Sequence, residues 1–304
     1  MTRRPFRPPV SLRACALVAS LALAGCSSKT TAPTGNGDVG GIRLVAFASD
    51  RGQSTGLTSI YLWDYDSLAF RDLSGLNVSL EPRHHPSVSP DGRFVAFDVS
   101  RNGQYDVEVY DRKLRQTDPN ASSAINTGDD ESEPTFTGDG HLLCFTQGRT
   151  ARRIRLFDGP TSRFIALPGL DTVSTAYSDW APSPNYNGSL IAFVSDRRGN
   201  PDIYLYDRNR HAVLDGTNLR NALVSGGADV DPRFSTSGRY LTFASDRGGN
   251  YDLFLLEFRV TTSTTDTLFS TLTAANSGSD ERHPAINDAG SVVVFQSNRI
   301  GQGR

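Results

Sequence analysis

Acidic and imidazole side chains recur at two fixed positions before a proline that returns about every fifty residues. The prolines are Pro86, Pro134, Pro182, Pro232 and Pro284. The residues directly before them are His85, Glu133, Ala181, Asp231 and His283, and those three before them are Arg83, Glu131, Asp179, Asp229 and Glu281. Imidazole nitrogens and carboxylate oxygens bind divalent metals, and carboxylates also attract cationic groups. The structural alternative is that the acids solvate strand ends and accept backbone N–H bonds.

A second stretch has much of the spacing of a calcium loop. From Asp246 to Glu257, side chains with oxygen ligands occupy positions 1, 5, 7 and 12 of a twelve-residue segment, as they do in an EF-hand loop. Position 6 is Tyr251, where that loop requires glycine, and position 3 is Gly248, which offers no ligand. The pattern also recurs at 195–207 and partly at 100–111. We therefore interpret it as a repeated hairpin with a Gly-Asn turn.

Covalent catalysis has little support in the sequence. No Gly-x-Ser-x-Gly elbow is present, and Ser89, Ser183 and Ser235 are recurring positions rather than a single nucleophile. Cys144 fills a position that is Ala, Thr or Val elsewhere, which predicts a buried structural thiol. The glycine runs lie in predicted turns between strands rather than before a helix, so no phosphate-binding loop is expected.

An internal repeat sets the positions of all these residues. A phenylalanine ends a short apolar run six times, at Phe47, Phe97, Phe145, Phe193, Phe243 and Phe295. Each of the last five has a glycine five residues before it and a proline eleven residues before it. Short apolar runs and turn signals alternate within each unit, and the third runs, 202–207 and 252–257, are apolar on both faces. Units of this length with four strands each predict propeller blades, and no amphipathic helix is expected outside residues 1–25.

The repeat, Pro-x-x-Ser-Pro-Asp-Gly followed by Ala-Phe-x-Ser-Asp-Arg-x-Gly-Asn, resembles that of the TolB-like propeller family. Residues 86–106, 196–204 and 246–254 match it best, and the resemblance covers about residues 42–304. It implies an all-β, six-bladed β-propeller of four-stranded blades with an incomplete terminal blade. A five-bladed ring or a chain cut short are the alternatives. Members of this family are periplasmic scaffolds, whereas some sugar lyases with a similar repeat hold a metal among histidines and acids at the channel mouth.

The first strand of a propeller blade is innermost, so the residues before the prolines should meet at one mouth of the central channel. The candidate ligand-binding residues there are His85, Glu133, Asp179, Trp180, Asp231 and His283. Convergence of His84, His85 and His283 would give a metal site or a pH-sensitive contact. Tyr177, Trp180 and Tyr186 would form an aromatic contact for a peptide or sugar, unless they serve only for packing.

Arg247 recurs as Arg51, Arg101, Arg197 and Arg299. Its recurrence beside a repeated aspartate predicts an ion pair between blades. Replacing it should reduce stability and leave ligand binding unchanged.

The first 25 residues have the features of an export signal. Four arginines and no acid precede an apolar run at 14–25, which is shorter than the ~20 residues that span a bilayer as a helix. Leu23-Ala24-Gly25-Cys26 resembles the lipobox of bacterial lipoproteins, which implies cleavage before Cys26 and lipidation of that cysteine. Ser27 implies sorting to the outer membrane. Residues 26–41 are a predicted flexible tether, and residues 42–304 are predicted to form the propeller. The sequence is compatible with export by either the Sec or the twin-arginine route.

Charge and cysteine content narrow the function classes. Removing residues 1–25 changes the net charge from −2 to −6 and leaves no long basic run, so nucleic acid is not an expected partner. Only Cys26 and Cys144 remain, which leaves no intrachain disulfide if Cys26 is acylated. The leading hypothesis is a non-enzymatic, monomeric lipoprotein of the cell envelope, facing the periplasm, that binds a protein or peptide and needs no cofactor. The alternatives are a metal-dependent, lyase-like carbohydrate-active enzyme with a divalent metal at the channel mouth, or an accessory subunit of a surface complex.

Overall fold

The computed structural model describes residues 15–20, 44–50, 57–64, 66–73, 75–77, 80–172, 174, 176–214, 217–260 and 265–299. The predicted lipidation site Cys26 and the predicted tether at 26–41 lie outside this part of the chain. Within it, no helix has the length and apolar character needed to cross a membrane.

Six antiparallel sheets follow one another along the described chain, and we number them as blades 1 to 6. Blade 1 contains β2 (Leu44–Ser49), β3 (Ser59–Asp64) and β4 (Ala69–Phe70). Blade 2 contains β5 (Arg83–Val88), β6 (Phe94–Arg101), β7 (Gln104–Asp111) and β8 (Gln116–Thr117). Blade 3 contains β9 (Glu131–Phe136), β10 (Leu142–Gln147), β11 (Arg153–Asp158) and β12 (Arg163–Ile165). Blade 4 contains β13 (Asp179–Pro184), β14 (Leu190–Ser195), β15 (Asp202–Asp207) and β16 (Ala212–Val213).

Blade 5 contains β17 (Asp229–Phe234), β18 (Tyr240–Ser245), β19 (Asp252–Val260) and β20 (Thr265–Thr271). Blade 6 contains β21 (Glu281–Ile286) and β22 (Val292–Ser297), and its third strand is β1 (Cys15–Ser20). Four blades therefore have four strands, while the first and the last have three. The predicted all-β, six-bladed propeller with an incomplete terminal blade is confirmed.

Strand β1 comes from the segment predicted to be a signal peptide. It runs antiparallel to β22, with six residue pairs from Cys15 opposite Ser297 to Ser20 opposite Val292. The sheet edge thus takes a strand from the other end of the chain. Removal of residues 1–25 during export stays a prediction.

The repeated phenylalanines are the core of the contacts between blades. Phe243 and Phe254 of blade 5 pack against Ile203 and Leu205 of blade 4. The third strand β15 is buried along five of its six residues, as its apolar character on both faces predicts. Burying one such side chain contributes about 1.5–3 kcal/mol. The buried apolar side chains of the described chain form five clusters.

The repeated glycine is needed in the turn between the first and second strands. Gly238 has φ = 76° and Gly290 has φ = 67°, values that residues with a side chain rarely adopt. Each turn also touches the preceding blade: a Cβ on Gly238 would lie 2.8 Å from the Cβ of Asn185, and one on Gly290 would lie 2.7 Å from the Tyr240 ring. Glycine is thus required both for the turn and for the close approach of neighbouring blades.

Two short helices were not expected from the sequence. They are α1 (Pro119–Ile125) and α2 (Thr217–Leu223), and each connects the last strand of one blade to the first strand of the next. Asp118 caps α1 by accepting the N–H groups of Asn120 and Ala121, and Ile125 is fully buried. Seven residues make only two turns, too few for a helical period to be visible in the sequence.

Candidate functional site at the channel mouth

The inner strands β5, β9, β13, β17 and β21 share a break at the recurring proline. Their pairing with the second strand shifts register at this point in every case. The residue before each proline has a positive φ: 46° at His85, 56° at Glu133, 50° at Ala181, 55° at Asp231 and 50° at His283. Proline has no N–H to donate to the ladder and disfavours the helical region for its predecessor, so a bulge forms there.

The side chains of these residues meet in the central channel. His85 of blade 2 interacts electrostatically with Glu133 of blade 3 and with Asp231 of blade 5. His283 of blade 6 interacts with His85 as well as with Asp231. Blades 2 and 5 are not neighbours in the ring, so their side chains reach each other across the channel. The structure therefore brings together His85, Glu133, Asp231 and His283 from the sequence-derived set.

Carboxylates of one blade accept the backbone N–H groups that the bulge of the next blade leaves unpaired. Asp98 Oδ1 accepts from Glu133 N at 3.1 Å, and Glu133 Oε2 accepts from Ala181 N at 2.8 Å. Asp231 Oδ2 accepts from His283 N at 3.2 Å. These acids therefore have the structural role given above as an alternative, and they link blade 2 to blade 3, blade 3 to blade 4 and blade 5 to blade 6.

The two imidazoles at the mouth differ in protonation. His85 Nδ1 lies 2.7 Å from Asp98 Oδ1. Burial disfavours the charged ring, but the charge and hydrogen bond of Asp98, together with the charges of Glu133 and Asp231, outweigh it and raise the pKa of His85 to about 9. Burial, together with the positive charges of Arg282, His85 and Arg233, lowers the pKa of His283 despite the nearby Asp231. The surroundings therefore favour the charged form of His85 and the neutral form of His283.

These imidazoles are also the accessible groups of the cluster. The His85 side chain is 44% exposed and the His283 side chain is 50% exposed, whereas Asp98 is fully buried and Asp231 is 11% exposed. Burial opposes ionisation of Asp231, but His283 and Arg282 outweigh it and lower its pKa. Arg282 Nε donates to the Asp231 carboxylate at 2.9 Å. A ligand entering the mouth would thus meet the imidazole edges first.

Arg233 is a channel residue that the sequence analysis did not identify. Its Nη1 donates to Thr135 Oγ1 at 2.9 Å, which joins blade 5 to blade 3 across the channel. The signal was present, because the position after the proline is Ser, Thr or Ala in the other blades. Asp98 was missed for a similar reason: it follows the repeated phenylalanine, where most units have an uncharged residue.

Asp179 does not join the channel cluster. Its Oδ1 accepts from Arg197 Nη2 at 2.9 Å, and its side chain is 5% exposed. Arg247 pairs in the same way with Asp229 at 2.6 Å. Both pairs lie within one blade, so the prediction that Arg247 makes an ion pair between blades was wrong. The carboxylates three residues before the proline anchor the hairpin between the second and third strands of their own blade.

The aromatic residues divide between the two ends of the channel. Trp180 lies at the mouth, with the Arg152 guanidinium 3.9 Å from its ring centre, and Tyr177 lies under Arg197 at 4.8 Å. Tyr186 follows the opposite end of β13, where its carbonyl accepts from Asp139 N at 2.8 Å. The expectation that all three residues share one mouth was therefore wrong for Tyr186.

The apparent calcium loop uses its polar groups for the hairpin. Asp246 Oδ1 accepts from Ala228 N at 2.6 Å, and Asn250 Nδ2 donates to Ser279 O at 2.8 Å in the chain leading to blade 6. Gly249 has φ = 109°, as the tight turn requires. The segment is a blade hairpin.

Two further side chains that could act in catalysis, a cysteine and a repeated serine, have structural roles instead. Cys144 is fully buried, and burial raises the pKa of its thiol. Ser183 Oγ accepts from Phe234 N at 2.9 Å and links blade 4 to blade 5. In the described part of the chain, no group of three or more His, Cys, Asp or Glu side chains is arranged to hold a metal ion. The divalent metal suggested by the resemblance stays a prediction.

Comparisons with known proteins agree with the repeat. No family model matches the chain. A protein TolB homolog from Chlorobium luteolum is 28% identical over 191 residues, which cover 62% of this chain and 39% of that relative's length. The match thus spans well under two thirds of the relative.

Solved structures extend the likeness over most of the described chain. The match to TolB from Acinetobacter baumannii has a TM-score of 0.56 at 16% sequence identity. It spans 87% of this chain and 65% of the TolB chain. The match to a structure assigned to TolB of Agrobacterium tumefaciens has a TM-score of 0.55 at 14% sequence identity. It spans 79% of this chain and 83% of the matched chain. At such identities the structures establish the fold. The repeat, the six successive sheets and these likenesses together show that the chain has the fold of the TolB-like β-propellers.

Proposed function

We propose that this protein is a lipid-anchored component of the bacterial cell envelope whose propeller binds a protein or peptide at the channel mouth. The lipobox-like sequence ending at Cys26 supports the anchor. The likeness to TolB proteins supports a scaffold in the periplasm, on the outer membrane if Ser27 has the sorting effect expected of it. The propeller itself contributes the contact surface and requires no cofactor for that role.

The observation that carries the proposal is the pair of accessible imidazoles, His85 and His283, at a mouth whose acids are already engaged. Asp98 Oδ1 and Glu133 Oε2 each accept a backbone N–H group, so one oxygen of each carboxylate already has a structural partner. Trp180 and Arg152 add a stacked ring and guanidinium at the same end of the blades. Aromatic rings and arginines with a limited polar surround are typical of the residues that contribute most to protein binding.

The test is capture of a partner by crosslinking in cells with the lipidated protein. We would compare the natural chain with a variant carrying His85→Asn and His283→Asn. Asparagine tolerates a positive φ, so these changes remove the rings without imposing a new backbone strain. His211→Asn is the matched control, since His211 has φ = 51° and is exposed in the turn between β15 and β16.

We expect the double variant to lose most of the captured partner and the control to retain it. The unfolding temperature of the double variant should fall by only about 2–4 °C, as a loss of about 1 kcal/mol implies, and that of the control should not change. Equal capture by all three proteins would contradict a contact at the mouth. If no substitution in the channel changed partner capture, the result would instead agree with an accessory subunit that binds its complex through another surface.

A metal-dependent, carbohydrate-active enzyme is the second candidate. The observation in its favour is that two imidazoles and two carboxylates share one channel, namely His85, Glu133, Asp231 and His283. Metal analysis of protein prepared without chelator, and its thermal unfolding with and without chelator, separate the two functions. A stoichiometric metal whose removal lowers the unfolding temperature, and which the His85→Asn protein lacks, would favour the enzyme.

A further inference from the structure

Arg233 places a cation in the channel where the other inner strands have a small residue. It follows the recurring proline of blade 5 and lies two residues beyond Asp231 along β17. The residues at the same position in the other blades are Ser87, Thr135, Ser183 and Ala285. Ser87 and Ser183 each accept a backbone N–H group from the next blade. Arg233 has no such role, so its presence requires another explanation.

The guanidinium of Arg233 has more hydrogen-bond donors than the channel engages. It carries several N–H groups, and among the described residues its hydrogen-bond partner is Thr135 Oγ1, 2.9 Å from Nη1. The residue is half-buried. Its other nitrogens are not among the buried polar atoms that lack a partner in the described chain. They are therefore accessible within the channel and can bind an acceptor.

The acids closest to Arg233 are engaged by other groups. Asp231 Oδ2 lies 2.9 Å from Arg282 Nε, and Glu133 Oε2 accepts from Thr146 Oγ1 at 2.7 Å. Within the part of the chain that the structure describes, Arg233 itself forms no ion pair. Burial lowers the pKa of the Arg233 guanidinium despite the charges of Asp231 and Glu133. A further anion would therefore stabilise its charge.

The channel is narrow at the end opposite the mouth. A Cβ added to Gly138, in the turn of blade 3, would collide with Thr236 O of blade 5 and lie 2.9 Å from Tyr186 Cα of blade 4. Blades 3 and 5 are not neighbours, so these turns meet across the channel, three residues beyond Thr135 and Arg233. The open approach to Arg233 is therefore from the mouth.

We propose that the channel receives a carboxylate of the docked partner, which Arg233 binds through two parallel N–H donors. The inference rests on the proposed function and names the chemical group that the partner contributes there. An acidic side chain and the C-terminus of a chain present the same two oxygens, and the planar fork of arginine matches that geometry. A partner without a carboxylate would leave half-buried donors unpaired, so Arg233 would determine specificity.

Three short peptides are the probes. The first has glutamate between glycines and blocked termini, the second has glutamine in place of the glutamate, and the third is the glutamine peptide with a free C-terminal carboxylate. Binding is followed by NMR of protein with isotope-labelled arginine and histidine. The Nε–H resonance of Arg233 is identified by its absence from the Arg233→Lys protein. The ring resonances of His85 and His283 report occupancy of the mouth in the variants.

We expect a carboxylate peptide to shift the Arg233 resonance and to bind about tenfold or more tightly than the blocked glutamine peptide. The tighter of the two carboxylate peptides identifies the source of the group. Arg233→Lys keeps the charge without the fork and should weaken that peptide about tenfold, whereas Arg233→Met should abolish its binding. Arg210→Met is the matched control, since Arg210 is 73% exposed on an outer turn, and it should bind like the natural chain.

No binding of either carboxylate peptide, equal binding of the blocked glutamine peptide, or unchanged binding to the Arg233→Met protein would overturn the inference. The comparison between peptides uses the natural chain, so it holds even if a variant fails to fold. Partner capture in cells distinguishes this result from failure of the proposed function. Capture that requires His85 and His283 but is unchanged by Arg233→Met would refute only the carboxylate. Capture that is unchanged by the histidine substitutions would refute docking at the mouth, even if the peptides bind Arg233.

Discussion

Replacing Arg247 with methionine should destabilise the propeller because it leaves a buried carboxylate without its counter-charge. Arg247 Nη2 lies 2.6 Å from Asp229 Oδ1, and the two side chains are 21% and 0% exposed. The guanidinium also donates to Ser245 Oγ at 2.9 Å and lies 4.7 Å from the centre of the Phe254 ring. Methionine preserves the aliphatic stem, so the change removes mainly the charge and its hydrogen bonds.

The expected loss is large for a single substitution. Removing one partner of a buried ion pair costs about 3–5 kcal/mol, and the partial exposure of Arg247 favours the lower end, about 3 kcal/mol. Asp202 in blade 4 adds to the effect, because it interacts electrostatically with Asp229. Arg210→Met is the matched control: its pair with Asp207 is 3.5 Å long and the Arg210 side chain is 73% exposed, so we expect about 0.5 kcal/mol.

Urea unfolding followed by circular dichroism measures both variants and completes a double-mutant cycle with Asp229→Asn. We expect a coupling energy of about 2 kcal/mol between Arg247 and Asp229. Partner capture by the folded Arg247→Met protein should equal that of the natural chain. A loss below about 1 kcal/mol, indistinguishable from the control, would refute the structural role assigned to the recurring arginine.

Three further predictions concern the titratable groups Asp202, His85 and Cys144. Burial, with the nearby charge of Asp229, raises the pKa of Asp202 from 3.8 to about 6 despite hydrogen bonds that favour the ion. The free energy of unfolding therefore falls as pH rises through 6. In urea titrations, Asp202→Asn should add up to about 3 kcal/mol to that free energy at pH 8 and nothing at pH 4. The pair with Asp98 raises the pKa of His85 to about 9, so its contribution is complete below pH 6.5 and is lost as pH rises through 9. His85→Asn should therefore cost about 1 kcal/mol at pH 6, after allowing for solvent screening of the exposed ring, and nothing at pH 10; a constant difference across that range would contradict the assignment. Cys144 should resist iodoacetamide in the folded protein and react in urea, as peptide mass spectrometry would detect; labelling of the folded protein at the rate of a free thiol would contradict its burial.

The fold was predictable because each repeated residue has a backbone or packing reason to recur. Gly238 and Gly290 recur because the turn needs a positive φ and touches the preceding blade. Phe243 recurs because each blade buries it against its neighbour. Helix α2, with seven residues, was not predictable because its stability comes from packing of residues such as Leu223 against the blades.

The membership of the channel cluster was predictable in part, and its chemistry was not. Position before the proline identifies His85 and His283, since the innermost strand must face the channel. Sequence spacing cannot show that Asp98 and Glu133 are engaged by backbone N–H groups, because those bonds cross from one blade to the next. The pairing of Arg247 with Asp229 could have been found, because the same separation of eighteen residues recurs between Arg197 and Asp179.

The central claim, that a protein partner docks at the channel mouth, is tested most directly by photocrosslinking from single positions in cells. A photoreactive residue replaces His283 alone, so that His85 is kept for the contact with the partner. In the matched control it replaces Tyr186 at the opposite end. The two positions have similar exposure: the His283 side chain is 50% exposed and Tyr186 is 53% exposed. We predict a discrete protein adduct from position 283 and none from position 186. Adducts of equal yield from both positions, or from position 186 alone, would contradict the account.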